Sequence, residues 1–262
     1  MDISEHIEAL RREGALLADA AARTDLDAPV PTCPDWRLGD LLRHTGHVHR
    51  WAAAYPARGL REPLDPEGER AVFGPAPSDA ALLDWFREGH AALVDTLVKT
   101  PADVDCWTFL PAPSPLAFWA RRQAHETAVH RHDADAAAGI EGPRVDTALA
   151  LDGIDELLRG FLVRPRSKLR SERPRTLLVR ATDGPGLWRL TITQEPLAVT
   201  TDGPEEPADL TLAGPGRELY LLLWNRLPAE HGSAQHAGSA GHVERTGDET
   251  LLDLWRETAA VR

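Results

Sequence analysis

Apolar residues recur at helical spacing through the first half of the chain. Ile7, Leu10, Ala15 and Leu17 carry this period across residues 3–22. The Pro-punctuated stretch VPTCPDW (30–36) interrupts it, and Asp35 reads as the N-cap of a second helix over 37–55 that Pro56 stops. A polar, Pro/Gly-rich loop (57–77) follows. Ser78 is placed to cap a third helix carrying Leu82, Leu83, Phe86, Ala92, Leu93 and Leu97. After another loop (101–115), a fourth helix spans about 116–138, with Gly139 as its natural C-cap. Four helices on short or medium connections predict an antiparallel bundle over residues 1–142.

Beyond that point the pattern changes. A helix over about 147–162 leads into the basic segment RPRSKLRSERPR (164–175). Strand-like runs follow: TLLVRAT (176–182), LWRLTIT (187–193), LAVTT (197–201) and ADLTLAG (208–214), parted by turns such as Asp183-Gly184-Pro185-Gly186. Helices over 215–227 and 248–260 close the chain. Residues 143–262 therefore read as a smaller α+β domain built on a meander of antiparallel strands.

Composition narrows the partners. A net charge of −12 argues against nucleic acid and against anionic membrane surfaces, both of which reward basic faces. The start MDISEHIEALRREG has no apolar core of a secretory signal, and no segment reaches the ~18 uninterrupted apolar residues of a membrane span. Cys33 and Cys106 stand at no metal or redox spacing, which fits free thiols in a reducing cytoplasm. The expectation is a cytoplasmic monomer or homodimer acting on small molecules. The basic segment, with Arg164, Arg166, Lys168, Arg170, Arg173 and Arg175, reads as a solvated linker.

The candidate chemistry lies on two helices. Leu41, His44, Thr45, Val48 and Ala52 share one face of the second, which directs His44 inward and leaves His47 and His49 peripheral. On the fourth helix Trp119, Gln123, Glu126, His130 and Ala134 form one stripe, and Glu126 meets His130 at i, i+4. A buried ionised Glu must be neutralised, paired or metal-bound. Spacing leaves two readings open. One is a Glu126–His130 hydrogen bond or surface pair; the other is a divalent metal on His44, Glu126 and His130, with a fourth position free. His125-Glu126 with His130 is not the zinc-protease motif, because His125 and His130 diverge by about 140° around the helix. His125 aligns instead with His132, on what reads as an outer face. Asp133 is either a solvated charge, the simpler reading, or a partner for the second nitrogen of His130. No nucleophile elbow, P-loop or dinucleotide fingerprint is present.

CPDWRLGDLLRHTGHVHRW (33–51) together with FWARRQAHETAVHRHDAD (118–135) resembles the mycothiol-dependent maleylpyruvate isomerase family, within the DinB-like metal-binding four-helix bundles. The resemblance implies that the Trp36 turn leads into the helix bearing the first ligand, His44. It also implies that the Arg-Arg-x-x-x-Glu-x-x-x-His run supplies Glu126 and His130. ADLTLAGPGRELYLLLWNR (208–226) is similar to a strand-to-helix segment of a sterol-carrier-like C-terminal domain, and Arg226 matches an arginine with a catalytic role. His132 departs from the family, many of whose members carry Trp there. The implied cofactors are a divalent metal, Zn²⁺ being the best fit, and mycothiol. The implied activity is thiol addition to a small electrophile, as isomerase or S-transferase. A metal-water hydrolase and a non-catalytic binding protein with a structural metal remain alternatives.

Overall fold

Asp2 starts the first helix, α1 (Ile3–Ala21): its carboxylate accepts the Glu5 N–H at 2.9 Å while the Glu5 side chain accepts the Asp2 N–H. The computed structural model describes residues 1–142, 144–201, 206–227 and 242–259. The chain divides into two units, Met1–Gly142 and Pro143–Arg262.

In the first unit α2 (Leu38–Arg58) begins later and runs longer than its sequence pattern suggests. Asp35 does not cap it. Arg37 holds the cap position, and its N–H is taken by the Asp40 carboxylate at 3.0 Å. Nor does Pro56 end it. A proline in the last turn removes a single intrahelical N–H, so the helix continues to Gly59, whose φ of 60° makes the left-handed stop. The expected loop at 57–77 contains a short helix, α3 (Pro66–Phe73), begun by Asp65 accepting the Gly68 N–H at 2.7 Å and by Pro66 at the first position. Ser78 occupies the cap position of α4 (Asp79–Lys99) without a side-chain bond. Ser114 caps α5 (Pro115–Ala137), and Gly139, at φ 69°, follows its end.

α1 packs against α5 and α4, and α2 packs against the same two helices. Leu10, Leu17, Leu38, Leu41, Leu42, Phe86 and Trp119 fill the space between them. Gly46 sets one approach distance. A Cβ there would come within 2.2 Å of the Trp85 ring, so only glycine lets α4 sit this close to α2. α5 is buried along nearly its whole length, including its charged groups. Arg131 donates to Glu13 at 2.8 Å and to Asp135 at 2.5 Å, all three fully enclosed, and so ties α5 to α1.

The second unit opens with α6 (Thr147–Asp155), capped by Asp146, which continues as a π-helical turn (Glu156–Phe161). Strands β1 (Arg175–Ala181), β2 (Leu187–Ile192), β3 (Ala198–Thr200) and β4 (Leu210–Gly214) follow. Then come α7 (Gly216–Leu223), β5 (Glu244–Gly247) and α8 (Thr250–Thr258). The sheet order β3-β2-β1-β4-β5 corrects the expected meander: β1 and β4 pair in parallel, and the other pairings are antiparallel. β3 is short and largely exposed, whereas β4 brings buried Leu210 and Leu212 beside Leu177 and Val179 of β1. Apolar burial thus places β4 inside the sheet, between the central β1 and the edge strand β5. β5, with the polar sequence ERTG, carries no strand pattern and forms by pairing to β4 at the edge. Trp224 and Trp255 donate their indole N–H groups to Gly153 and Leu223 carbonyls, fixing α7 against α6 and α8. The expected helices at 215–227 and 248–260 are both shorter, and residue 260 lies outside the described residues. No described helix is long and apolar enough to cross a membrane.

Burial lifts the Glu218 carboxyl on α7 to about 7, against the opposing charge of Arg217. A carboxyl raised in the folded state contributes stability below its ordinary value near 4.5, and loses it as pH rises through about 7. Glu218→Gln is therefore expected to match the parent at pH 4 and to exceed it at pH 8 by on the order of 1 kcal/mol. Urea unfolding at the two pH values measures this; equal differences at both would refute it.

Candidate metal centre

The inward arc of α2 contains Leu38, Leu41, Leu42, Thr45, Gly46, His49 and Ala52. It keeps Leu41, Thr45 and Ala52 of the arc read in the sequence but extends toward Gly46 and His49, where the Trp85 ring of α4 lies against the glycine, and leaves His44 and Val48 at its margin. His49 is therefore fully buried rather than peripheral, with Nε2 at 2.9 Å from the Thr127 hydroxyl. His44 lies at the rim of the arc, its side chain 40% exposed. His47 stays at the periphery between Phe73 and Trp85.

His44 still reaches α5. Its Nε2 is 3.4 Å from Glu126 Oε1, and His130 Nε2 is 3.2 Å from the same oxygen. One ligand atom from each residue lies within 4.8 Å of the others. The other Glu126 oxygen accepts from the buried Arg122 at 3.1 Å. Asp133 is not a solvated charge. It is fully buried, with Oδ2 at 2.9 Å from His130 Nδ1 and Oδ1 accepting the Thr32 hydroxyl at 2.6 Å. The Trp36 indole stacks near His130 and tilts against His44, covering one side of the cluster.

These neighbours set the charges. Burial acts to raise the Glu126 carboxyl, but hydrogen bonds from His130 and His44 and the charges of His130 and Arg122 hold it well below its ordinary range. Burial acts to lower His130, yet its bonds to Asp133 and Glu126 prevail and lift it to about 9. The cluster thus favours positive charge at the point where three ligand atoms converge.

The donor set fits a divalent cation. Asp133 occupies Nδ1 of His130, so Nε2 faces Glu126, and two imidazoles with one carboxylate leave a coordination position free. The Glu126–His130 contact is equally a hydrogen bond in its own right, the other reading that spacing left open.

Other expected positions fall elsewhere. His125 and His132 are buried rather than on an outer face, because α5 is enclosed along its length; His125 packs edge-on against His6. Cys106 is buried, which raises its thiol, and Cys33 Sγ lies 3.7 Å from Asp133 Oδ2; neither joins the ligand cluster. Arg226 follows α7 and the left-handed Asn225. Its N–H bonds the Leu221 carbonyl at 2.7 Å, and its guanidinium donates to Trp224 O at 3.0 Å. Sequence reasoning passed over Arg122, although its i, i+4 spacing to Glu126 carried the signal. It also passed over Thr32, which lies 101 residues from Asp133 and has no local pattern to reveal it.

The mycothiol maleylpyruvate isomerase N-terminal domain matches residues 7–135, and the C-terminal domain of the same family matches residues 148–254. A crystal structure of the mycothiol-dependent maleylpyruvate isomerase is similar in fold, with a TM-score of 0.59 and 14% identity over 92% of this chain and 96% of that one. A histidine-to-alanine mutant of that isomerase aligns with a TM-score of 0.60 at 13% identity, over the same shares of the two chains. Curated protein sequences yield no match.

Proposed function

The chain belongs to the mycothiol maleylpyruvate isomerase family, and from that premise we propose that it is a metal-dependent enzyme using mycothiol to isomerise a small electrophilic alkene. The observation that carries this reading is the convergence of His44, Glu126 and His130 within 4.8 Å, inside the segment that matches the family's N-terminal domain. His44, Glu126 and His130 would hold a divalent cation, Zn²⁺ being the ion this donor set suits, and a thiol coordinated there would be deprotonated at neutral pH.

The chain's own residues prepare that chemistry. Arg122 fixes one oxygen of Glu126, so the other stays directed at the histidines. Asp133 holds His130 Nδ1, and Trp36 shields the cluster on one side. His44 leaves the cluster open to solvent, the side from which thiol and electrophile enter. The thiolate adds to one alkene carbon, forming a C–S bond while the π electrons move onto the conjugated carbonyl. Rotation about the new single bond follows. Elimination then re-forms the double bond in the trans geometry and expels the thiolate, with no net change in atoms or electrons. Arg226 is assigned the substrate carboxylate, which a guanidinium binds in bidentate fashion. A thiol S-transferase shares the first step and differs in releasing the adduct.

The test is turnover by the Zn²⁺-loaded chain, with maleylpyruvate as probe, in the presence and absence of mycothiol. Cis-to-trans conversion that requires both thiol and metal is the expected result. Accumulation of a stable thioether identifies the transferase instead. Thiol-independent cleavage of ester or amide probes would overturn the thiol reading in favour of hydrolysis.

A further inference from the structure

Asp133 determines which nitrogen His130 turns toward Glu126 and His44. With Oδ2 2.9 Å from Nδ1, the Nδ1–H donates to the carboxylate, so Nε2, whose proton bonds Glu126 at 3.2 Å in the metal-free chain, is the nitrogen that would offer its lone pair to a cation. A carboxylate that is itself fully buried keeps this orientation only if it is held in turn. Thr32 does so, its hydroxyl donating to Oδ1 at 2.6 Å, and the Cys33 thiol flanks Oδ2 at 3.7 Å.

Thr32 sits on a loop that has little freedom to move. The Cys33 N–H bonds Val30 O at 2.9 Å, the Trp36 N–H bonds Cys33 O at 2.8 Å, and the Val30 N–H bonds Trp36 O at 3.0 Å. An isolated bridge joins Pro29 and Arg37 across its ends. The same loop delivers Trp36, whose ring lies 6.0 Å from that of His130 at an interplanar angle of 20° and 4.9 Å from that of His44. One self-bonded loop therefore grips His130 twice, at its ring face through Trp36 and at Nδ1 through Asp133.

We propose that Thr32 is a positioning residue of the metal centre, its hydroxyl locking Asp133 so that His130 presents Nε2, and not Nδ1, to the cation. The inference rests on the metal reading above. It assigns the loop between α1 and α2 a part in metal affinity, although the loop supplies no ligand. The alternative role for the same bond is to fasten the loop to α5, and the two roles differ in what a variant would show.

The full-length chain is titrated with Zn²⁺ against a competing chelator, and the His130 tautomer of the Zn²⁺-loaded chain is read from long-range ¹H–¹⁵N spectra. Thr32→Val is expected to weaken Zn²⁺ binding by about 10–100-fold, the usual effect of losing a group that orients a ligand, and to mix the His130 tautomers. Thr32→Ser, which restores the hydroxyl, is expected to return affinity to within about threefold of the parent. Parental affinity and a single tautomer in Thr32→Val would overturn the proposal. So would Thr32→Ser binding as weakly as Thr32→Val, since packing and not the hydroxyl would then be responsible. If Thr32→Val does not fold, Thr32→Ala gives the same comparison. A parent chain that takes up no Zn²⁺ refutes the metal reading itself, a result seen before any variant is compared.

Discussion

Glu126→Ala is expected to weaken divalent-metal binding by more than about a hundredfold, since even groups that only orient ligands are worth 10–100-fold. Glu126 is the one anionic donor of the cluster, and its oxygen is the point on which His44 and His130 converge. Its loss also leaves Arg122 and His130 without their shared counter-charge in a largely buried setting. The metal-free variant should therefore lose stability as well. Chelator competition and elemental analysis of His44→Ala, Glu126→Ala and His130→Ala separate the two roles. Metal lost in all three marks a coordination site. Undiminished metal in all three, with stability lost only in Glu126→Ala, would identify a structural ion pair and end the metal reading.

The second large effect lies away from the site. Arg131→Met is expected to cost about 3–5 kcal/mol of folding stability, the usual penalty for leaving buried charge without its partner. Glu13 and Asp135 are about 1% exposed and both bond Arg131, so removing the guanidinium takes away their shared buried countercharge, and Glu13 keeps the half-exposed Arg12 at 3.2 Å. Neutralising them as well, with Glu13→Gln and Asp135→Asn in the same chain, should recover most of the loss, because the cost comes from uncompensated charge and not from lost attraction. Urea unfolding at neutral pH measures both variants. A loss below about 1 kcal/mol in Arg131→Met would show that solvent reaches the cluster on a scale its burial denies.

How much of this was legible in the sequence depended on whether the information was local. The i, i+4 spacing of Glu126 and His130 requires only helical geometry, and the structure brings them to 3.2 Å. Family resemblance marked Trp36 on the turn that leads into α2, and the structure adds that its ring packs against His44 and His130. By contrast, the extension of α2's inward arc toward His49 depends on how close α4 can come, which the missing side chain of Gly46 permits and no period along α2 records. His44 consequently sits at the rim and His49 in the core, the reverse of their reading from the sequence. His125 and His132 were assigned to solvent on the assumption that α5 has an outer face. It has none, because paired charges such as Arg131 with Glu13 and Asp135 allow a polar helix to be buried.

The sheet divides in the same way. Alternating apolar residues identify β1, β2 and β4 from sequence, but not which strands pair. Parallel pairing of β1 with β4 follows from burying two apolar strands side by side, a contact between segments more than thirty residues apart. β5 has no apolar period at all and becomes a strand only because β4 offers it an edge.

The sequence by itself therefore determined the long helices and the adjacency of Glu126 and His130 on α5, set by backbone geometry within a few residues, while family resemblance pointed to His44 on α2. Tertiary structure alone decided the exposure of His44, the burial of Asp133 and its bond to Thr32. Burial and long-range hydrogen bonds depend on which surfaces meet, and here a glycine and a short loop made that choice.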